Sequence, residues 1–233
     1  MATPTWRRAL ELWPLPMPEF ALGGKRIALL VVDMQRFCAH PDYGLGARLR
    51  EHFPQAAEYY FARLSLIVPN IARLQRAFRE TQRQVIFTTF GSELPGGGDL
   101  PRSRRRPPGR PERQFNNFSR GTVEHGILPD LRPVSGDLVI NKVTTSAFTS
   151  TGIDQSLRHL GVDVLAITGV STEVCVESTA RDAADRGYEC VLVDDACATL
   201  DAAAHAATLT SFARLFGRVM STDALVDEMT NAG

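Results

Sequence analysis

Asp163-Val-Leu-Ala-Ile-Thr-Gly-Val-Ser-Thr-Glu-Val-Cys-Val-Glu-Ser-Thr-Ala-Arg181 is the stretch that decides the fold. It opens as an apolar run rich in Val, Leu and Ile, the composition of a strand buried on both faces. Gly169 breaks the run, and Ser171 and Thr172 offer N-cap hydroxyls. Apolar and polar residues then alternate at helical spacing over 173–187. The pattern places Cys175 in the first turn of a helix springing from the end of a buried strand. Backbone N–H groups there lack intrahelical partners and the helix dipole is positive. Both ease ionisation of a thiol, and the thiolate is the nucleophilic form.

The rest of the chain repeats this alternation. Ile27-Ala-Leu-Leu-Val-Val-Asp33 reads as a first strand, followed by strands over 84–90, 137–142, 189–195 and 218–222. Helical periodicity covers 55–79, 153–160 and 202–216. In the first of these, Tyr60, Leu64, Ile67, Ile71, Leu74 and Phe78 form one apolar stripe, which Pro69 is expected to kink or split. Strands alternating with helices imply a Rossmann-like, three-layer αβα domain with a mainly parallel, roughly six-stranded sheet. Residues 1–25 read as an N-terminal extension and 26–233 as the domain. Met34 to Gly46 reads as a loop. The Gly-, Pro- and Arg-rich segment 91–117 resists assignment to an element. A loop of that length is a solvated segment, a lid or an interface arm.

Composition removes several classes of function. The 233 residues carry 26 basic and 26 acidic side chains, so no overall field points to nucleic acid or an anionic membrane. No aromatic stacking platform accompanies the arginine-rich loop. No apolar run is long enough to span a bilayer, and the N-terminus lacks the apolar segment of a signal peptide. Cys38, Cys175, Cys190 and Cys197 form no CxxC pair, which suits a cytoplasmic protein with reduced thiols.

In open parallel sheets, ligands bind beyond the carboxyl ends of the strands, where strand order reverses. Asp33, Lys142 and Cys175 each stand at or just past such an end. Singly, Asp33 is an ordinary loop cap, Lys142 a lysine reaching for water, and Cys175 a small buried hydrophobe. Together they supply what attack on an amide or ureido carbonyl requires. Cys175 is the nucleophile, Asp33 the base that takes its proton, and Lys142 a cation holding both and lowering the thiol pKa. Backbone N–H groups at Ser171 and Cys175 are placed to form an oxyanion hole.

Ala28-Leu-Leu-Val-Val-Asp33-Met-Gln35, Ile140-Asn-Lys142 and Thr168-Gly-Val-Ser-Thr-Glu-Val-Cys175-Val-Glu-Ser-Thr-Ala-Arg-Asp resemble the isochorismatase-like cysteine hydrolases. The resemblance implies a catalytic triad of Asp33, Lys142 and Cys175, and a cis peptide at Val170–Ser171. It also implies a thioester acyl-enzyme formed from a small amide or ureido substrate with loss of ammonia or amine. Relatives that cleave a vinyl ether lack the cysteine, so Cys175 favours the amidohydrolase branch over an ether or ester hydrolase. A thiol redox or interaction module on the same fold is the reading from another class. His40, Asp42 and His52 do not form the Asp-x-His motif of metal-bearing nicotinamidases, so neither a catalytic metal nor another cofactor is expected. Gln35, Phe37 and Phe148 are candidates to line the pocket, and the loop arginines to bind a substrate carboxylate. Members are commonly homodimers or homotetramers.

Overall fold

The computed structural model describes residues 5–104 and 119–231. Its elements in chain order are α1 (Thr5–Arg8), β1 (Ile27–Val32), α2 (Arg36–Ala39), α3 (Gly44–His52), α4 (Pro54–Glu80) and β2 (Val85–Phe90). They continue with β3 (Leu138–Lys142), α5 (Ala147–Ser150), α6 (Ile153–His159), β4 (Val164–Val170) and α7 (Glu177–Asp185). The chain closes with β5 (Glu189–Ala198), α8 (Ala202–Leu215), β6 (Arg218–Met220) and α9 (Thr222–Asn231). The six strands form one sheet in the order β3-β2-β1-β4-β5-β6, every pair parallel. Strand order reverses between β1 and β4, so the crevice for a ligand lies beyond Val32 and Val170.

Side-chain alternation divides the core between the two faces. Leu29, Val31, Val85, Phe87, Val164 and Ala166 pack with Tyr60, Ile67, Ile71, Leu74 and Phe78 of α4, and with Leu225 and Met229 of α9. Ala28, Leu30, Val32, Ile86, Leu165 and Ile167 face the other way, onto Ile153 and Leu157 of α6, Ala180 of α7, and Leu209 and Phe212 of α8. Burial on both faces is why the central strands read as unbroken apolar runs.

Several expectations are refined. The helix 55–79 neither ends nor restarts at Pro69; α4 runs through it. Pro69 and Ser65, whose carbonyl loses its N–H partner, lie on the exposed side, where water can take that partner's place. The stretch read as a loop after β1 contains α2 and α3. The first is a single turn, and the second begins at a glycine and buries only Gly46 and Leu49, too little for an apolar stripe. Of the Arg-rich segment, 105–118 lie outside the described residues, while 102–104 form a 3₁₀ turn.

The N-terminal segment packs along the body. Trp6 is buried, its indole N–H donates to Asp194 Oδ2 at 2.9 Å, and its carbonyl accepts from Thr210 Oγ1. Arg214 donates to the Ala9 carbonyl, Arg218 to the Phe20 carbonyl, and the Leu22 N–H to Glu228.

Gly169 fixes the approach of β1 to β4. Its φ is +113°, and a Cβ there would stand 2.0 Å from the Val32 carbonyl oxygen. It also sits where the β4–β5 register shifts. Neither a side chain nor ordinary strand geometry fits. Gly169→Ala should destabilise the protein by more than about 2 kcal/mol, read as a fall in Tm of roughly 5 °C or more. A Tm within a degree or so of the parent's in thermal unfolding would contradict the packing described.

Candidate active site

Asp33 directly follows β1 with φ +52°, a left-handed conformation that aspartate tolerates better than most residues. Its N–H donates to the Thr88 carbonyl, and its Oδ1 accepts from Thr88 Oγ1 at 3.0 Å. Lys142 is the last residue of β3, two strands away, and its long side chain crosses the end of β2 over the ring of Phe90. Its ammonium has three donors and three acceptors: Asp33 Oδ2 at 2.7 Å, the Thr144 carbonyl at 3.1 Å and Cys175 Sγ at 3.4 Å. Lys142 and Asp33 are 0% and 1% exposed, so this ion pair is out of water. Carboxylate, ammonium and thiol meet at the switch point.

Cys175 does not sit in an ordinary first helical turn. Thr172–Val176 is a π-helical turn that runs into α7, and the Val174 and Val176 N–H groups both donate to the Ser171 carbonyl. Such widened turns recur at functional sites. The turn is held from outside the cavity. Thr172 Oγ1 is 2.9 Å from His205 Nδ1, His205 Nε2 is 2.9 Å from Asp194 Oδ1, and Trp6 holds the other Asp194 oxygen. The Val170–Ser171 peptide before it is cis, as the family resemblance implies.

The electrostatics differ from the sequence-based expectation in one respect. The Cys175 thiol is pushed up to about 12, by burial first and then by the negative charge of Asp33, and Lys142 only partly offsets them. The expected lowering weighed the helix end and Lys142; the observed thiol is half-buried among apolar walls and also faces the Asp33 carboxylate. Burial alone would lower the Lys142 pKa, but Asp33 and Cys175 outweigh it and leave the ammonium raised. The arrangement is therefore an ion pair beside a thiol that holds its proton more tightly than usual.

A cavity of about 230 Å³ opens over this group. Phe37, Cys38, Leu45, Phe90, Val170, Val174 and Leu200 give it apolar walls, while Arg104 and Glu173 bring charge. Asp33, Ser171 and Cys175 also border it. Of the three pocket candidates, only Phe37 lines it. The Gln35 amide is consumed elsewhere, donating to the Phe90 and His125 carbonyls and accepting from the Phe90 N–H. Phe148 lies in the α6–α7 layer, 6.0 Å from the Tyr188 ring. Neither placement was legible, because side-chain direction after a strand depends on turns that carry no periodic signal. Thr88, inside β2, and Glu173, on the turn with Cys175, reach the site through side-chain directions that no local pattern reports.

His40, Asp42 and His52 pair locally, with the Asp42 N–H, Arg50 and Glu51 respectively. Among the described residues, no group of three or more His, Cys, Asp or Glu side chains could hold a metal ion. None of the described helices is long and apolar enough to cross a membrane.

The family model for the isochorismatase domain matches residues 27–224. The chain belongs to the isochorismatase family. This isochorismatase-family protein is 29% identical over 228 residues to the ureidoacrylate amidohydrolase RutB of Variovorax paradoxus, covering 94% of this chain and 87% of that one. It is 32% identical over 182 residues to RutB of Yersinia enterocolitica, covering 72% and 74%. Among solved structures it is similar to a cysteine hydrolase from Pseudomonas syringae pv. phaseolicola, with TM-score 0.77, 27% identity, and coverage of 94% and 100%. The nicotinamidase PncA of Bacillus subtilis, at TM-score 0.67, 22% identity, and coverage of 84% and 99%, shares the fold. With these relatives, the isochorismatase-family chain is a cysteine amidohydrolase, a hydrolase of C–N bonds.

Removing the charge of Asp33 should have opposite effects on thiol ionisation and on turnover. In Asp33→Asn burial still raises the thiol pKa, but the negative charge that adds to it is gone while Lys142 still lowers it. Alkylation of Cys175 by iodoacetamide at pH 8, followed by peptide mass spectrometry, should be faster than in the parent, even as hydrolysis falls. Unchanged or slower alkylation would contradict the electrostatics.

Proposed function

We propose that Asp33, Lys142 and Cys175 are the catalytic residues of this amidohydrolase, and that its substrate is a small ureido acid. The observation that carries this is the buried Lys142 ammonium, bonded at once to Asp33 and Cys175, which both border the cavity.

The reaction follows from the placement. As Sγ attacks the carbonyl carbon, Asp33 takes the thiol proton, and the C–S bond forms while the carbonyl oxygen becomes an oxyanion. Backbone N–H groups at Ser171 and Cys175 receive that charge. On collapse the C–N bond breaks and the nitrogen leaves with the proton from Asp33, giving a thioester, or a thiocarbamate from a ureido group. Asp33 then takes a proton from water, hydroxide attacks the same carbon, the C–S bond breaks, and the thiol regains its proton. Lys142 keeps Asp33 in place throughout and offsets the charge that moves between oxygen and sulfur.

Two features support the substrate class. The RutB relatives are named for ureidoacrylate, a ureido compound bearing a carboxylate. Arg104, one of the loop arginines, lines the cavity, where a guanidinium suits a carboxylate. A homodimer or homotetramer in the cytoplasm is the setting we propose, and the four free cysteines are in keeping with a reducing compartment.

The test is an ammonia-release assay over ureido acids and neutral amides, with Cys175→Ala as the blank. Ureido acids should be preferred. Arg104→Met should lower kcat/KM for them by about tenfold or more, the loss of one charged hydrogen bond, while changing neutral amides little. A preference for neutral amides in the parent enzyme would overturn the substrate class.

A further inference from the structure

The π-helical turn that carries Cys175 needs holding from outside. Its widened bonds run from the Val174 and Val176 N–H groups to the Ser171 carbonyl, and from the Glu177 N–H to the Thr172 carbonyl. Ser171, just before it, makes no side-chain cap. Turns of this kind are rare in helices, so side chains must fix this one. Two do. Glu173 Oε1 accepts from Thr199 Oγ1 at 2.8 Å. Thr172, the first residue of the turn and fully buried, has its Oγ1 2.9 Å from His205 Nδ1. Among the described residues the Thr172 hydroxyl has no other hydrogen-bond partner.

The donors and acceptors behind that hydroxyl fix the direction of each bond. Burial works to raise the Asp194 pKa, but hydrogen bonds from His205 and Trp6 and the charge of Arg63 hold it below the ordinary value. A carboxylate only accepts, so His205 Nε2, 2.9 Å from Asp194 Oδ1, donates to it. Arg63 Nη2 stands 3.3 Å from the same nitrogen, but both its hydrogens go to the carbonyls of Asp194 and Cys197. In a neutral imidazole Nδ1 then carries the lone pair and accepts from Thr172. Trp6 closes Asp194 Oδ2, so the carboxylate is held on both sides. We propose that His205, held by Asp194, is a positioning residue for catalysis. Through Thr172 it fixes the turn that aims Cys175 Sγ and the N–H groups of Ser171 and Cys175 at the substrate carbonyl.

This rests on Cys175 being the nucleophile. Neither His205 nor Thr172 borders the cavity, so neither touches the substrate. Their effect falls on the oxyanion, which forms in both acylation and deacylation and which misplaced N–H groups stabilise less. Phe37, Cys38, Leu45, Phe90 and Arg104 line the cavity from other elements and keep ground-state binding. The signature is a loss in kcat at nearly constant KM.

The test is ammonia release from N-carbamoyl-β-alanine, or from the compound turned over fastest in the assay above. kcat and KM are measured on full-length variants that thermal unfolding shows to be folded at the assay temperature. Thr172→Val, which keeps the shape and removes the hydroxyl, should lower kcat by about tenfold or more and move KM by less than about twofold. Thr172→Ser should recover most of that loss. At position 205, asparagine can put an amide oxygen near the place of Nδ1, whereas glutamine reaches that of Nε2, so His205→Asn should keep more activity than His205→Gln. His205→Gln combined with Thr172→Val should be no slower than the slower single variant, because both cut one link. A Thr172→Val kcat within about twofold of the parent's, a loss carried by KM alone, or losses that multiply in the double variant overturn the inference. Turnover that survives Cys175→Ala overturns both this inference and the nucleophile assignment. An inactive Cys175→Ala beside a fully active Thr172→Val overturns this inference alone.

Discussion

A lysine ammonium with no exposure to water, bonded to an equally buried aspartate, is the interaction on which the rest of this structure depends. Taking two such charges out of water costs several kcal/mol each, and their attraction repays this only when every remaining donor and acceptor is satisfied. Here they are. Thr88 closes Asp33 Oδ1, the Thr144 carbonyl and Cys175 Sγ close the ammonium, and the face of Phe90 lies beneath it. The thiol is therefore part of what makes the ion pair tolerable. Its raised pKa has the same origin: burial first, then the neighbouring charge of Asp33, which Lys142 only partly offsets. On the mechanism proposed above, such a thiol stays neutral until the carboxylate takes its proton.

The sheet supplies the meeting point. With β1 and β4 adjacent at the reversal of strand order, Asp33 and the turn bearing Cys175 leave the sheet side by side. Gly169 lets the two strands close to that distance. Lys142 comes from β3 and reaches the site only because a four-carbon stem can cross the end of β2. Support for the cysteine turn comes from much farther away in sequence, through Thr172, His205, Asp194 and Trp6. The N-terminal segment thus has a physical connection to the site and is more than a cover for the core.

Much of this was legible in the sequence, for identifiable reasons. Strands buried on both faces appear as apolar runs, and their ends as the first charged or glycine residue, so the sequence alone puts Asp33, Lys142 and the Cys175 turn on one edge. α4 was legible from six apolar residues at helical spacing. What escaped depends on depth and direction. The ionisation of Cys175 depends on how completely Phe37, Phe90 and Val174 enclose the site, and no local pattern reports enclosure. Gln35 carries an amide that suits a pocket, yet its backbone partners turn it inward to tie the end of β2 to the 123–127 segment. α9 also carries a signal, with Leu225 and Met229 four apart behind a threonine and an aspartate.

The most direct measurement of the central claim is peptide mass spectrometry on enzyme quenched in acid during turnover of a ureido acid. If Asp33, Lys142 and Cys175 act as described, a carbamoyl adduct will be found on Cys175, absent from Cys38, Cys190 and Cys197, and greatly reduced in Asp33→Asn. An enzyme that turns over the substrate with Cys175→Ala, or that carries its adduct on Cys38 instead, would contradict the account.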